Sequence, residues 1–362
     1  MRKFSKLIDN YNRIHDYLRI SLTEKCNLNC FYCMPNKHQH KNETIISNVM
    51  KSNEILFLAN YFCHRGIRKI RFTGGEPLLR TDFLQIIKSL NKLKYQHKHF
   101  TEIGMTTNGV KFKQFAEKLK TIGLNSVNIS LDSLKSERIL QLTGQATFKH
   151  TMVSIIKAVD LGYESVKVNC VVIKGFNDDE LCDFVELTRY LPIEVRFIEF
   201  MPFDGNNWEI SKLFSYKKML NIVQNSFPNL LRLNGNPFDV AKLFQISGWL
   251  GKIGFITSMT ENFCAGCSRL RLTSDGNLKI CLHDNYEVSL VKVLRNTKNL
   301  NIINEWINEM SNGNFSYCQQ VNEIYDQLDQ IVNQALTRKS ASHKGAIQLA
   351  SSTNRSMVRI GG

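Results

Sequence analysis

Short β-rich runs alternate with longer amphipathic runs from residue 17 to about residue 200, and this alternation restricts the fold more than any other feature. Six strands are predicted, at Tyr17–Leu22, Ile67–Thr73, Glu102–Thr106, Ser126–Leu131, Ser165–Val172 and Ile193–Phe200. Helices are predicted between them, at Ser52–Arg65, Asp82–Lys94, Lys111–Ile122, Lys149–Leu161 and Asp178–Tyr190. Such alternation gives right-handed βαβ units and a parallel sheet. The predicted fold class is therefore α/β, a partial (β/α)6 barrel that is open on one side.

Polar or glycine-containing sequence follows each of the six predicted strands. Examples are Thr23–Cys26, Gly74–Pro77 and Thr106–Gly109. In parallel α/β barrels, ligands bind at the rim formed by the carboxyl ends of the strands. Turn chemistry explains some of these segments, but not six of this polarity, so we expect the functional site at this rim.

Four predicted strands carry a cation between apolar neighbours, namely Arg19, Arg71, Lys167 and Arg196. Side chains alternate between the two faces of a strand, so each cation points away from its apolar neighbours and into the barrel. Charged groups are rarely buried without partners. We expect an anion inside the barrel, with the alternative that one or two cations pair with Glu76, Asp132 or Glu199. That pairing is the expectation for Arg196.

The βα rhythm fades after residue 207, which predicts a change of domain. We expect the barrel at residues 1–210, a C-terminal domain at 211–335 and a flexible tail at 336–362. The tail is rich in Ser, Lys, Arg and Thr and ends in Gly361-Gly362. Such a composition is typical of poorly ordered sequence.

Composition narrows the class of protein. The net charge of +15 over 362 residues suits a polyanionic partner, either a nucleic acid or a nucleoside triphosphate, although a solvated basic surface explains most of the lysines. No run approaches the roughly 20 apolar residues of a membrane span, and the first residues lack the apolar core of a secretory signal. We expect a cytoplasmic protein. Ten cysteines in such a chain do not indicate a disulfide framework.

Cys26, Cys30 and Cys33, the first triplet, lie in the loop after the first predicted strand. Three thiolates at this spacing can hold a four-iron cluster and leave one iron open for a substrate or cofactor. Zinc is the alternative metal, and only His38 and His40, in a polar insert, stand near enough in sequence to complete its ligands.

Cys264, Cys267 and Cys281 form the second triplet. The sequence between the last two alternates and contains Asp275-Gly276, which predicts a hairpin that brings Cys281 back towards the other two. Zinc is a stronger competitor here, because His283 could complete a Cys3His site.

Seven motifs together resemble the GTP 3′,8-cyclase family (molybdenum cofactor biosynthesis protein A) of the radical S-adenosylmethionine (SAM) superfamily. They are CNLNCFYCMP, RFTGGEPLLR, TTNG, SLDSL, FIEFMPFDGNNW, FCAGCSRLRLTSDGNLKICL and the C-terminal Gly-Gly, and the resemblance covers the chain from about residue 12 to the end. The resemblance implies a lyase that opens molybdenum cofactor biosynthesis. A 5′-deoxyadenosyl radical, made by reductive cleavage of SAM, would start the conversion of GTP to 3′,8-cyclo-7,8-dihydro-GTP.

The resemblance also assigns roles by motif position. The first triplet would hold a [4Fe–4S] cluster whose open iron binds SAM, with further SAM contacts from Tyr32, Gly75, Ser130 and Met201. GTP would be bound by Arg19, Arg71, Thr106, Lys167, Arg269 and Arg271. The second triplet would hold a second [4Fe–4S] cluster that binds the guanine base, and the Gly-Gly tail would enter the active site near Arg19, Arg269 and Arg271.

Implied partners are a flavodoxin- or ferredoxin-like electron donor, the downstream cyclic pyranopterin monophosphate synthase, and a second copy of the chain in a homodimer. The insert at residues 38–42 and the polar His283-Asp284 pair depart from the family pattern. Two other functions fit the sequence less well. A peptide- or sugar-modifying radical enzyme typically has more C-terminal cysteines, and a zinc-dependent nucleic-acid-binding protein would leave GGEP and the polar strand ends unexplained.

Overall fold

A computed structural model describes residues 6–33, 48–235, 239–312 and 319–361, so the insert at 38–42 and Gly362 lie outside the described residues. The strands of this described part are β1 (Tyr17–Ser21), β2 (Lys69–Thr73), β3 (Glu102–Thr107), β4 (Ser126–Ser130), β5 (Ser165–Val172), β6 (Glu194–Glu199), β7 (Leu230–Arg232), β8 (Lys242–Ile246), β9 (Lys252–Ile256), β10 (Arg269–Leu272), β11 (Asn277–Lys279) and β12 (Val288–Ser289). They form one sheet in the order β12-β11-β10-β1-β2-β3-β4-β5-β6-β9-β8-β7.

Strands β1 to β6 are all parallel, which confirms the predicted run of βα units. The helices are α1 (Ser52–His64), α2 (Phe83–Gln96), α3 (Phe112–Thr121), α4 (Ser136–Thr143), α5 (Phe148–Asp160), α6 (Leu181–Tyr190), α7 (Tyr216–Ser226), α8 (Val291–Leu294), α9 (Thr297–Ser311), α10 (Gln319–Thr337), α11 (Ala346–Ala350) and α12 (Met357–Ile360). The five predicted helices are confirmed to within a few residues. Residues 178–180 form a separate 3-10 turn before α6.

Strand β5 shows how the sequence divides the two faces of the sheet. Val166, Val168 and Cys170 are buried among the apolar side chains of the core, while Lys167 and Asn169 alternate with them and are half-buried. A side-chain period of two produces this division. The helices therefore cover an apolar outer face, and the polar positions are left for the concave inner face.

Residues beyond the barrel extend the sheet at both edges. Strand β9 pairs parallel to β6 and continues into antiparallel β8 and β7. On the other side, β10 pairs parallel to β1 and continues into antiparallel β11 and β12. The sheet therefore crosses the boundary predicted near residue 210, and the division into domains stays a prediction.

The tail has more regular structure than its composition suggests. It contains α11 and α12, and Lys339, Val358 and Ile360 are buried against the rest of the chain. These contacts are long-range, so the local composition does not reveal them. In the part of the chain that the structure describes, no helix has the length and apolar character that a membrane span needs.

Candidate active site

The two cysteine triplets lie at opposite ends of neighbouring parallel strands. The first triplet follows the carboxyl end of β1, whereas Cys264 and Cys267 precede the amino end of β10, the parallel neighbour of β1. Strand β11 runs back along β10 with Arg271 opposite Lys279, so it returns Cys281 to the same end. The predicted hairpin is confirmed. Strand β1 has five residues, which span about 16 Å at about 3.3 Å each, and this length separates the two triplets.

The first triplet is held in a tight loop. The backbone N–H of Cys33 donates to the carbonyl of Cys30 (3.0 Å), and the Leu28 N–H and the Asn108 side chain donate to the Cys26 sulfur (3.4 and 3.8 Å). Burial and the proximity of Cys26 and Asp132 raise the pKa of the Cys33 thiol to about 12. Thiolates in this environment need a bound cation, so the donor set fits an iron–sulfur cluster.

The glycine pair of GGEP lets the next loop pack directly on the first triplet's loop. A Cβ atom on Gly75 would lie 2.3 Å from the Lys25 carbonyl oxygen, and one on Gly74, whose φ is +145°, would lie 2.5 Å from that of Thr23. Two backbone hydrogen bonds join the loops, from Gly75 N–H to Thr23 O and from Glu76 N–H to Lys25 O. Glycine is required by this close backbone approach.

The other predicted SAM contacts lie on the same rim. Ser130 ends β4 and Met201 follows β6, both at carboxyl ends of strands. The Tyr32 hydroxyl donates to Asp132 (2.6 Å), which also accepts the Val171 N–H. Burial raises the pKa of Asp132 to about 6 despite these bonds. The structure therefore brings Tyr32, Gly75, Ser130 and Met201 to the end of the barrel that carries the first triplet.

Three arginines lie side by side on three neighbouring strands, on the polar face of the sheet. Arg19 on β1 is in register with Arg271 on β10 and with Arg71 on β2, and we call these three residues the arginine row. Burial, together with Arg71 and Arg269, lowers the pKa of Arg19 to about 10. Burial, Arg19 and Arg269 lower that of Arg271 to about 9. Burial of several cations side by side, with the repulsion between them, favours the binding of an anion in front of the row.

Arg71 differs from the other two members because its guanidinium is fully hydrogen-bonded within the protein. Its acceptors are the Tyr17 hydroxyl, Met105 O, Asn128 Oδ1, Glu102 Oε1 and Ser126 Oγ. These five bonds use all five N–H donors of the side chain. In contrast, the Nε of Arg19 and the Nε of Arg271 are buried and have no partner among the described residues.

The prediction that Arg196 pairs with Glu76, Asp132 or Glu199 is wrong. Arg196 pairs with Glu194, two residues earlier on the same face of β6. Glu76 and Asp132, in the loops after β2 and β4, and Glu199, the last residue of β6, instead accept hydrogen bonds from groups such as the N–H of Asn108, Val171 and Met259. The strand period explains the error for Glu199, because Glu194 is two residues from Arg196 and shares its face, whereas Glu199 is three residues away and lies on the opposite face.

Further buried polar atoms on the concave side lack a partner in the described part of the chain. They are Ser21 Oγ, Thr73 Oγ1, Thr106 Oγ1 and Asn169 Oδ1. Buried polar atoms are nearly always hydrogen-bonded in native proteins. With the two free arginine Nε atoms, they outline a polar ligand site between the triplets. Lys167 also lies there, and burial and Arg196 lower its pKa to about 8.

Basic side chains surround the second triplet. Burial raises the pKa of Cys267, but Arg269 and Lys339 outweigh it and lower the pKa to about 6. Burial is likewise outweighed at Cys264, where hydrogen bonds with His343 lower the thiol pKa. Thiolate is the form that binds metal. The ring of His283 lies between Phe203 and His343, with centroids 5.7 and 4.8 Å away.

The tail connects the two ends of the site. Lys339 contacts Cys267 at the second triplet, whereas Gly361 lies at the carboxyl ends of β1 and β2. A Cβ atom on Gly361 would approach Thr73 Oγ1 to 2.3 Å and Ser21 Cβ to 2.9 Å, and its φ is +80°. The tail thus reaches the strand that carries Arg19, at Ser21, two residues beyond that arginine, and its entry into the active site stays a prediction.

Several site residues were not identified from the sequence. Arg13, His15, Lys339 and His343 all contact the second triplet or its immediate surroundings. Each is an isolated basic residue in a segment that reads as solvated or poorly ordered, so only the tertiary structure reveals it. Within the described ranges, no three His, Cys, Asp or Glu side chains are arranged to hold a single metal ion.

Comparison with known proteins gives a consistent result along the whole chain. The radical SAM superfamily model matches residues 20–188, and the Molybdenum Cofactor Synthesis C model matches residues 193–345. The chain is 44% identical to the protein named GTP 3′,8-cyclase, mitochondrial, of Arabidopsis thaliana, over 98% of this chain and 83% of that one. It is 43% identical to molybdenum cofactor biosynthesis protein 1 of Homo sapiens, over 98% of this chain but only 51% of that protein, so it spans about half of the human relative.

Solved structures show the shared fold. Streptococcus suis SuiB bound to S-adenosylmethionine is similar with a TM-score of 0.59 and 12% identity, over 92% of this chain and 79% of that one. Native anSMEcpe with bound AdoMet is similar with a TM-score of 0.54 and 14% identity, over 92% and 95% of the two chains.

Proposed function

Because this chain belongs to the radical SAM superfamily and, within it, to the family of GTP 3′,8-cyclases, we propose that it converts GTP to (8S)-3′,8-cyclo-7,8-dihydroguanosine 5′-triphosphate. This reaction opens molybdenum cofactor biosynthesis. The observation that carries the proposal is the arginine row between two cysteine triplets, with unpaired donors on Arg19 and Arg271. A buried triphosphate is the anion that such a row favours.

Membership in the radical SAM superfamily implies a [4Fe–4S] cluster and SAM, and the first triplet holds that cluster in our proposal. When bound, the cluster and SAM supply the 5′-deoxyadenosyl radical that removes the 3′ hydrogen of GTP. Ser130 and Met201 would orient SAM from the rim of the barrel, and Tyr32 would do so from the position set by its hydrogen bond to Asp132. Gly75 contributes the close packing of its loop on the first triplet's loop.

GTP would lie between the triplets, with Arg19, Arg269, Arg271 and Lys167 neutralising its phosphates and Thr106 hydrogen-bonding it. The free Nε atoms of Arg19 and Arg271 support direct contact. A contact from Arg71 stays a prediction, since its donors are all used within the protein. Burial of these groups excludes water, which protects a radical from side reactions.

The second triplet would hold a second [4Fe–4S] cluster that binds the guanine base. Support comes from the depressed pKa of Cys267 and from the hairpin that returns Cys281 to the same end of the sheet. A one-electron donor of flavodoxin or ferredoxin type, a downstream cyclic pyranopterin monophosphate synthase and a homodimeric assembly complete the proposal. The cytoplasmic location stays a prediction.

The test is anaerobic reconstitution followed by incubation with SAM, dithionite and GTP. We expect 5′-deoxyadenosine and the cyclised nucleotide in equal amounts, both identified by mass spectrometry. ATP in place of GTP is the control and should give no cyclised product. Cleavage of SAM without any change in GTP would contradict the proposal and would indicate a different substrate for the radical.

A further inference from the structure

Lys339 is a buried cation that has no carboxylate partner among the described residues. Its side chain belongs to a residue only 4% exposed, and in the described part of the chain no Asp or Glu oxygen lies within 4.0 Å of its ammonium nitrogen. An unpaired charge in a protein interior is costly, so a buried ammonium group requires an anion close by. The proposed catalytic roles do not use this residue.

The three contacts of the Lys339 ammonium group identify that anion. Nζ lies 2.7 Å from His15 Nε2, 3.3 Å from the Arg269 carbonyl oxygen and 3.6 Å from the Cys267 sulfur. The first two partners are neutral acceptors, and burial with the nearby Lys339 charge lowers the pKa of His15 to about 4. The Cys267 sulfur is therefore the contact that can carry negative charge.

The charges around Lys339 also indicate that a negative charge lies at the second triplet. Arg13, Arg269 and Arg271 add three cations near the second triplet. The carboxylate of Asp9 accepts from Arg13 at 2.6 Å and lies 3.7 Å from Nε2 of His15, the ring that Lys339 contacts. Asp9 is therefore already used by Arg13, and the thiolate of Cys267, with any cluster that the second triplet holds, is the counter-charge beside Lys339.

The backbone around Lys339 is fixed to the same loop. The Arg13 guanidinium donates to the carbonyl of Cys264 (2.8 Å) and to the carbonyls of Ala341 (2.8 Å) and Ser340 (2.7 Å). Arg13 therefore fastens the start of the tail to the cysteine loop. The ammonium group is held at Cys267 by the fold and does not depend on a chance side-chain conformation.

We propose that Lys339 is a positioning residue for the second cluster, which donates an N–H···S hydrogen bond to Cys267 and makes that cluster easier to reduce. This inference rests on the proposed function, because it requires the second cluster to be present. Reduction adds one negative charge to a cluster, and a nearby cation with a hydrogen bond to sulfur stabilises that charge. Lys339 thus sets the reduction potential of the centre that the substrate base would touch.

The experiment compares Lys339→Met with the unaltered chain. Both are prepared full-length with the first triplet changed to Ala, so that only the second cluster gives a signal. The midpoint potential is read from an EPR-monitored redox titration, and the iron content is measured alongside. Lys344→Met, at an exposed position five residues along the same tail, is the matched control.

We expect Lys339→Met to lower the one-electron reduction equilibrium constant at least about threefold, where tenfold corresponds to about 59 mV. Lys339→Arg, which keeps a charge and N–H donors, should restore most of the shift, and Lys344→Met should show none. If Lys339→Met does not fold, Lys339→Gln carries the test, since it keeps a donor and loses only the charge. An unchanged midpoint in the neutral variant, or an equal shift in Lys344→Met, would overturn the inference.

Iron analysis of the unaltered chain separates this inference from the function on which it rests. If the second triplet binds no iron–sulfur cluster in the unaltered chain, the two-cluster proposal itself fails. If the cluster is present and Lys339→Met leaves its potential unchanged, only the role of Lys339 fails.

Discussion

Replacing Gly361 by Ala tests whether substrate conversion needs the tail bound in its position at the carboxyl ends of β1 and β2. The new Cβ atom would lie 2.3 Å from Thr73 Oγ1 and 2.9 Å from Ser21 Cβ, at a φ of +80°. The positive φ costs about 1–3 kcal/mol for an L-residue and the overlap about 1–3 kcal/mol more. Ala also restricts the backbone of the tail when it is not bound, and this lower entropy offsets up to about 1 kcal/mol of the cost.

The lower limits of these values add up to a net cost of about 1 kcal/mol for binding of the tail in its position. Since about 1.4 kcal/mol corresponds to a tenfold change in an equilibrium constant, the ratio of bound to unbound tail falls at least about fivefold. The assay is the yield of cyclised nucleotide per 5′-deoxyadenosine, with limited proteolysis of the tail as a readout independent of turnover. Gly345→Ala is the control, because a Cβ there meets nothing within 4 Å. Full product yield and unchanged proteolysis in Gly361→Ala would refute the reasoning.

Three more predictions follow from the site. Changing the second triplet to Ala should halve an iron content of about eight per chain, from two four-iron clusters, while SAM cleavage persists; stoichiometric zinc in the unaltered chain would contradict this. Arg271→Ala should keep both clusters and uncoupled SAM cleavage but lose the cyclised product, because Ala cannot replace the planar guanidinium group that binds phosphate. An unchanged yield of cyclised product would show that Arg271 does not bind the substrate. Arg71→Ala should lower the free energy of unfolding of the cluster-free protein by about 3 kcal/mol, since the buried acceptors on Asn128 and Ser126 lose their donor, whereas Arg19→Ala should cost less because it relieves repulsion within the arginine row. Denaturant titration measures both, and equal losses would show that the two arginines do not differ as described.

Much of the barrel could be predicted from the sequence because its signals are local. The alternating pattern of β5 and the polar ends of the strands locate the sheet and its functional rim. The hairpin at Asp275-Gly276 was equally accessible, because its turn chemistry is carried by adjacent residues. Helix α4 (Ser136–Thr143) was missed, since eight residues give little periodicity.

Features that depend on long-range contacts were not predictable. The pairing of β10 with β1 joins segments about 250 residues apart, and no local pattern indicates it. The same holds for Lys339, whose burial beside Cys267 depends on the path of the tail. The difference between Arg71 and Arg19 is also tertiary, because both occupy the same position between apolar neighbours in their strands.

The arginine row has a consequence for the order in which the chain folds. Strands β1 and β2 follow one another closely in sequence, but Arg271 joins them only after almost three quarters of the chain has been synthesised. Pairings of such sequence separation form late and slowly. This late step also brings Arg271 against Arg19, so like charges oppose it, and an anion that binds the completed row favours it by mass action. We therefore expect a nucleoside triphosphate to raise the denaturant midpoint of the complete chain and to leave that of a fragment that ends before β10 unchanged.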